Sequence, residues 1–168
     1  MLISNEWLKD YVNVDQSVQA LAERITRTGI EVDDIIDYTK DIKNLVVGHV
    51  LSKTPHPNAD KLNICQVDLG EEEPVQIVCG APNVDEGQHV IVAKVGGRLP
   101  GGVKIKRAKL RGERSEGMIC SLQEIGISSH VTPKNFESGI YVFPEAVKPG
   151  TDAVSYTHLR AHETGRNL

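Results

Sequence analysis

From position 39 to position 135 the sequence contains no Phe, Trp or Tyr; its seven aromatic residues are Trp7, Tyr11, Tyr38, Phe136, Tyr141, Phe143 and Tyr156. A core in that interval has to be built from Val, Ile, Leu and Ala, and a nucleobase would find no ring there to stack on. No run approaches the roughly 18 apolar residues a membrane span requires. The opening MLISNEWLKD lacks the basic-then-apolar layout of a signal peptide. These absences lead to the expectation of a cytoplasmic protein without a membrane partner. Cysteine is scarce and unpatterned: Cys65, Cys79 and Cys120 form no CxxC pair and lie beside no His at ligand spacing. They read as small buried hydrophobes in a reducing compartment, with no metal site.

Catalytic patterns are missing as well. There is no GxSxG, HExxH or GxxxxGK[ST], and GGRLPGG at 96–102 does not match a dinucleotide fingerprint. His49, His56, His89 and His130 are scattered singly and read as packed or surface residues. Cys120-Ser121 has no His near it in sequence. The chain is expected to be non-catalytic.

What is present is charge of one sign in one place. Between Lys94 and Arg114 stand Lys94, Arg98, Lys104, Lys106, Arg107, Lys109, Arg111 and Arg114, eight of the chain's 19 basic residues, against a single acid, Glu113. Outside that window 11 basic residues face 22 acidic ones, in a chain of formal net charge −4. Clustered Lys and Arg neutralise phosphates and release counterions, so the ribbon favours a polyanionic partner. The alternative is a solvated hairpin whose charges keep a sheet edge soluble.

Read along the chain, Ser4 is placed to cap a short helix carrying Trp7, Leu8 and Tyr11, and Asp15 or Ser17 to cap a second. In the second, Val18, Leu21, Ala22, Ile25 and Thr28 make one apolar stripe, and Gly29 provides the stop. From Leu45 the period changes to two. Leu45–Ser52, Leu62–Leu69, Pro74–Cys79, His89–Val95, Val103–Lys106 and Ala108–Arg111 are short runs separated by turn residues. Val90–Val95 is nearly continuous and is expected to be buried on both faces. Five or six such strands suit a small barrel, with the OB-fold the leading architecture. KIKRAKLRG alternates charge against Ile105, Ala108 and Leu110, which places most of the basic groups on one side of a hairpin. Ser121–Ile125 is expected to be a short helix and Gly139–Phe143 a last strand. In the loop PHPNADKL, two prolines stiffen the chain, Asn58 and Asp60 are expected to close it, and Lys61 offers a further cation. The segment from Ser155, SYTHLRAHETGRNL, has no apolar period and resembles vector-derived sequence. Its His158 and His162 are spaced i, i+4 but carry little weight there.

Four blocks in order, ISNEWLKDYV…LAERITRTGIEVDDI, HPNADKL, QIVCGAPNV and GQHVIVAKVGGRLPGGVKIKRAKLRGERSEGMICSLQEIGI, resemble the N-terminal part of the β subunit of bacterial phenylalanyl-tRNA synthetases. The middle blocks are shared with the wider family of tRNA-binding OB domains. The resemblance covers residues 1–154. It implies a mainly β chain with a five-stranded OB barrel over 39–152, inserted into an incomplete small α+β domain whose first half is 1–38. A vector-derived tail would then fill 153–168.

The resemblance also implies partners: tRNA, the synthetase α subunit and the remaining β domains of an α2β2 enzyme. That enzyme charges tRNA with phenylalanine using ATP and magnesium, neither of which this stretch itself is expected to hold. The basic hairpin of the family falls on KIKRAKLRGERSEGM. The expected RNA-binding residues are therefore Lys61, Arg98, Lys104, Lys106, Lys109, Arg111 and Arg114, with Ser121 as a hydrogen-bonding partner. The competing readings are a structural or docking domain with little tRNA affinity of its own, and a binder of acidic proteins or small ligands.

Overall fold

The computed structural model of the chain describes residues 8–9, 11–35, 42–127 and 139–154. These fall into two compact units, one holding 8–9 and 11–35 and the other 42–127 and 139–154.

In the first unit the helix α1 runs Val18–Arg27. Ser17 caps it: its Oγ accepts from the Ala20 N–H, satisfying one of the donors a helix start leaves open. Gly29 ends it with φ +98°, a conformation a side chain resists. Val18, Leu21, Ala22 and Ile25 are half-buried, and no residue of α1 is fully buried. Ser4 and Trp7 of the proposed first helix lie outside the described residues; Leu8 and Lys9 are helical.

The second unit is a barrel. Its strands are β1 Lys43–Pro55, β2 Asn63–Asp68, β3 Val75–Cys79, β4 His89–Leu99, β5 Val103–Lys104, β6 Ala108–Leu110, β7 Glu113–Ser115 and β8 Gly117–Ile119. The main sheet runs β3-β2-β1-β4, and β4 pairs both β5 and β8. All these pairings are antiparallel. The Glu116 N–H donates to the Gln76 carbonyl at 2.9 Å, drawing the β8 end against β3, so five strands form a nearly closed barrel. The mainly β, OB-type expectation holds.

Strand β4 shows why its sequence is almost uninterrupted. Val90 and Val92 join Val50, Cys65, Val67, Ile77 and Ile119 in one apolar cluster. Ile91 and Ala93 face the other way, into a second cluster with Leu45, Val47, Leu122, Phe143, Val147 and Ala153. Alternate residues thus go to opposite faces and both faces are dry. The second face is covered by the returning chain: Phe143 N–H donates to the His89 carbonyl, and Asp152 bridges to Val46. Ala153, at the start of the proposed tail, is fully buried there. Residues 155–168 lie outside the described residues. Where β1 crosses the interior, Gly48 is required by space, because a Cβ would lie 2.7 Å from Val67 Cγ1 and from Val92 Cγ2.

Three local expectations are corrected. KIKRAKLRG does not sit in one hairpin: β5 pairs back onto β4, and β6 pairs forward onto β7. Ala108 and Leu110 accordingly lie exposed with the charges rather than beneath them. In place of a helix over 121–125, residues 122–126 form turns, and 139–143 make only an isolated bridge, Val142 to Val90.

Candidate nucleic-acid interface

The cations divide into two groups. In the first, Arg98 on β4 has Lys104 of β5 as its direct partner on one side and Lys43 of β1 on the other. Direct partners in an antiparallel ladder project to the same face. All three side chains are exposed. The register that does this is irregular. On β1 only Asn44, with φ +57°, separates Lys43 from Leu45, while on β4 four residues separate Arg98 from Ala93. Gly97 lies in that excess, where a Cβ would stand 2.9 Å from the Lys43 carbonyl. Sequence reasoning found Arg98 and Lys104 but missed Lys43, which precedes the first apolar run.

The second group is the β6–β7 hairpin. Lys109 and Arg114 are direct partners, and Arg111-Gly112 form the two-residue turn with φ +48° and +101°, both in the left-handed region that such turns demand. The hairpin is held from below. Gln76 of β3 donates to the Arg114 carbonyl at 2.9 Å, and buried Ser115 accepts from the Val78 N–H at 3.1 Å while donating to the Gly117 carbonyl at 3.0 Å.

The loop carrying Lys61 reaches the hairpin tip. His56, only 5% exposed, accepts the Asn58 N–H at Nδ1 (3.0 Å), which places its ring hydrogen on Nε2, 3.0 Å from the Leu110 carbonyl. Asn58 Nδ2 donates at 3.4 Å to the Arg111 carbonyl. Asn58 thus ties the loop outward, and His56 does the closing that its own side chain was expected to do. Lys61 is exposed in this loop. Lys106 is exposed between the two groups, beside buried Ile105.

Carboxylates claim some cations and leave others. Arg107 pairs with Glu116 at 3.2 Å, Arg114 approaches the same carboxylate at 4.0 Å, and Lys94 pairs with Glu71. Among the described residues, Lys43, Lys61, Arg98, Lys104, Lys106, Lys109 and Arg111 make no ion pair. Ser121 is engaged internally: its Oγ donates to Glu124 and accepts the Glu124 N–H, while its own N–H donates to the same carboxylate, a capping box.

Other reactive groups are sequestered. Cys65, Cys79 and Cys120 are free and buried. Burial pushes the Cys120 thiol up to about 12, with the Glu124 carboxylate adding to it, and the Cys65 thiol up to about 11, with Cys79 adding. His49 and His89, far apart in sequence, are direct partners across β1 and β4 with rings stacked at 4.4 Å. Among the described residues no three His, Cys, Asp or Glu side chains are grouped to hold a metal. No helix among them is long and apolar enough to cross a membrane.

Residues 45–152 match the family model described as "Putative tRNA binding domain". Over 159 residues the chain is 96% identical to the phenylalanine–tRNA ligase β subunit of Staphylococcus epidermidis (strain ATCC 35984) and 81% identical to that of Staphylococcus aureus (strain USA300). Each alignment covers 95% of this chain and 20% of the relative, so the chain spans about a fifth of the length of the curated relatives it matches. Among solved structures, the MetRS-related protein of Pyrococcus horikoshii aligns with a TM-score of 0.44 at 23% identity, covering 73% of this chain and 97% of that one. The C-terminal domain of Plasmodium vivax p43 gives 0.45 at 24%, covering 71% and 61%. With the family match covering nearly all of the barrel, and the four sequence blocks answered by β subunits 81–96% identical to it, the chain belongs to the tRNA-binding domain family.

Proposed function

We propose that the barrel is an auxiliary tRNA-binding module of a phenylalanyl-tRNA synthetase β subunit. It grips the RNA through phosphate and shape with Lys61, Arg98, Lys104, Lys106, Lys109, Arg111 and Arg114. The observation that carries this reading is the set of cations without carboxylate partners on two adjoining hairpins of an otherwise acidic chain. Arg114, loosely shared with Glu116, contributes less than the others, and Ser121, whose hydroxyl and N–H both bond Glu124, serves as a hydrogen-bonding partner of the RNA only by exchanging that carboxylate. The α subunit and the rest of the β subunit are the protein partners on this reading, and phenylalanine activation with ATP and magnesium belongs to them.

No Phe, Trp or Tyr lies between positions 42 and 127, so stacking on those rings, worth about 1–3 kcal/mol per base, is unavailable there. Binding is then electrostatic and tolerant of sequence. With roughly four phosphates contacted, affinity falls with a log–log salt slope of about −3. Mobility-shift titration of the chain with tRNA at two salt concentrations tests this. A steep loss between them supports the module, and a flat response removes the mechanism and leaves a docking domain.

A further inference from the structure

We propose that Lys43, Arg98 and Lys104 form a discrete phosphodiester subsite, one that recruits a residue from outside the basic stretch. The inference deepens the tRNA-binding reading and rests on it. Three like charges are direct neighbours across three adjacent strands, an arrangement that disfavours the sheet by itself. No carboxylate pairs with any of them among the described residues. The sheet also goes out of its way to make the row. Four β4 residues are spent against the single Asn44, Asn44 takes φ +57°, and Gly97 is held so close to the Lys43 carbonyl that a Cβ has no room. A bulge of this kind re-aims a side chain, and here it brings Lys43 level with Arg98 instead of leaving it beyond the ladder.

The chemistry suits an oxyanion. Strands about 4.8 Å apart set the three cations over about 10 Å, enough to face neighbouring phosphates of one strand. The guanidinium in the middle presents two parallel N–H donors to one phosphate, and the flanking ammoniums act as point charges on the oxygens beside it. An occupied subsite removes the repulsion that the empty row carries. Lys109 opposite Arg114 lacks this character, since Glu116 lies by Arg114.

The test uses the whole chain and the variants Lys43→Gln, Arg98→Gln and Lys104→Gln, with Lys109→Gln as the comparison. Circular dichroism confirms folding, because exposed charge substitutions leave stability nearly unchanged. If tRNA binds, Lys43→Gln is expected to weaken it on the order of tenfold and to make the salt slope shallower by about one, as do the other two row variants. Unchanged affinity and slope in Lys43→Gln, with binding weakened in Lys109→Gln, overturns the subsite while the tRNA reading stands. If the unaltered chain does not bind tRNA, that reading falls, and thermal melts in tripolyphosphate against chloride at equal ionic strength decide the row. A rise in melting temperature that Arg98→Gln lacks supports an anion site, and equal behaviour of the two chains overturns it.

Discussion

The imidazole of His56 fastens the Lys61 loop to the basic hairpin, its Nε2–H pointing at the Leu110 carbonyl 3.0 Å away. Both ring nitrogens are in use, since Nδ1 takes the Asn58 N–H. His56→Ala removes two part-buried hydrogen bonds, those to the Leu110 carbonyl and from the Asn58 N–H, at a cost of about 1 kcal/mol each. His56→Gln, which can still donate to Leu110, is expected to recover part of it. Thermal melts measure the loss, and amide exchange in 108–115 locates it. A His56→Ala chain that melts with the parent and keeps its hairpin protection contradicts the latch.

Ser115 makes a similar joint from the other side of the hairpin. It is 3% exposed, and its hydroxyl is the acceptor for the Val78 N–H. Ser115→Ala removes that acceptor with little change in volume, so destabilisation of about 1–3 kcal/mol is expected. Ser115→Cys, with a weaker sulfur acceptor, should fall between. Denaturant midpoints of the three chains check the order.

How much of this was legible in the sequence depends on whether the signal was local. The double-sided burial expected over Val90–Val95 holds for Val90–Ala93, where each residue in turn is apolar, and stops before Val95, which is exposed. The strand pairing of KIKRAKLRG was not legible. Its alternation says that it is extended but not which neighbour it joins. That choice is made by Gly96 and Gly97, which exchange backbone hydrogen bonds with Ile105, and by the Arg111-Gly112 turn. The latter was the available clue, a glycine second in a two-residue hairpin turn. Lys43 was invisible because its place is set by a bulge four residues deep on another strand. The stacking of His49 on His89 is likewise a property of register, not of either residue's surroundings in sequence.

That stacked pair has a pH signature. The pKa of His89 lies below the ordinary histidine value, first because burial disfavours the imidazolium and second because His49 stands against it. Asp68 of β2 is the direct partner of His49 on its other side. In the unfolded chain His89 regains its ordinary value of about 6.5. Unfolding therefore takes up a proton between the two values, and stability rises with pH across that interval. The contribution is complete above about 6.5 and is lost as pH falls through the lower, folded value. His89→Gln should flatten this limb of the stability profile. An NMR titration placing His89 above the ordinary range would contradict the sign.

The three thiols give a sharper outcome. Thiolates are the reactive form, and burial raises the pKa of Cys65 to about 11 and of Cys120 to about 12, with Cys79 also raised by burial. The folded chain is expected to resist Ellman's reagent at neutral pH and to titrate all three cysteines in denaturant. A fast phase in native buffer amounting to one thiol would mean that the barrel opens locally around one of these cysteines.

Arg111 separates stability from binding. Its φ of +48° puts a long side chain in the left-handed region, where a residue other than Gly or Asn pays roughly 1–2 kcal/mol. Asn is favoured at this first position of a two-residue turn ahead of glycine. Arg111→Asn is therefore expected to raise the melting temperature, by a stability gain of up to about 1 kcal/mol. The same change removes an exposed cation from the hairpin tip, so tRNA affinity should fall and the salt slope should become shallower by about one. The two effects have opposite signs, which a general loosening of the hairpin cannot produce. If melting temperature and affinity drop together, the arginine is a structural part of the turn; if stability rises while affinity is untouched, the tip does not meet the RNA.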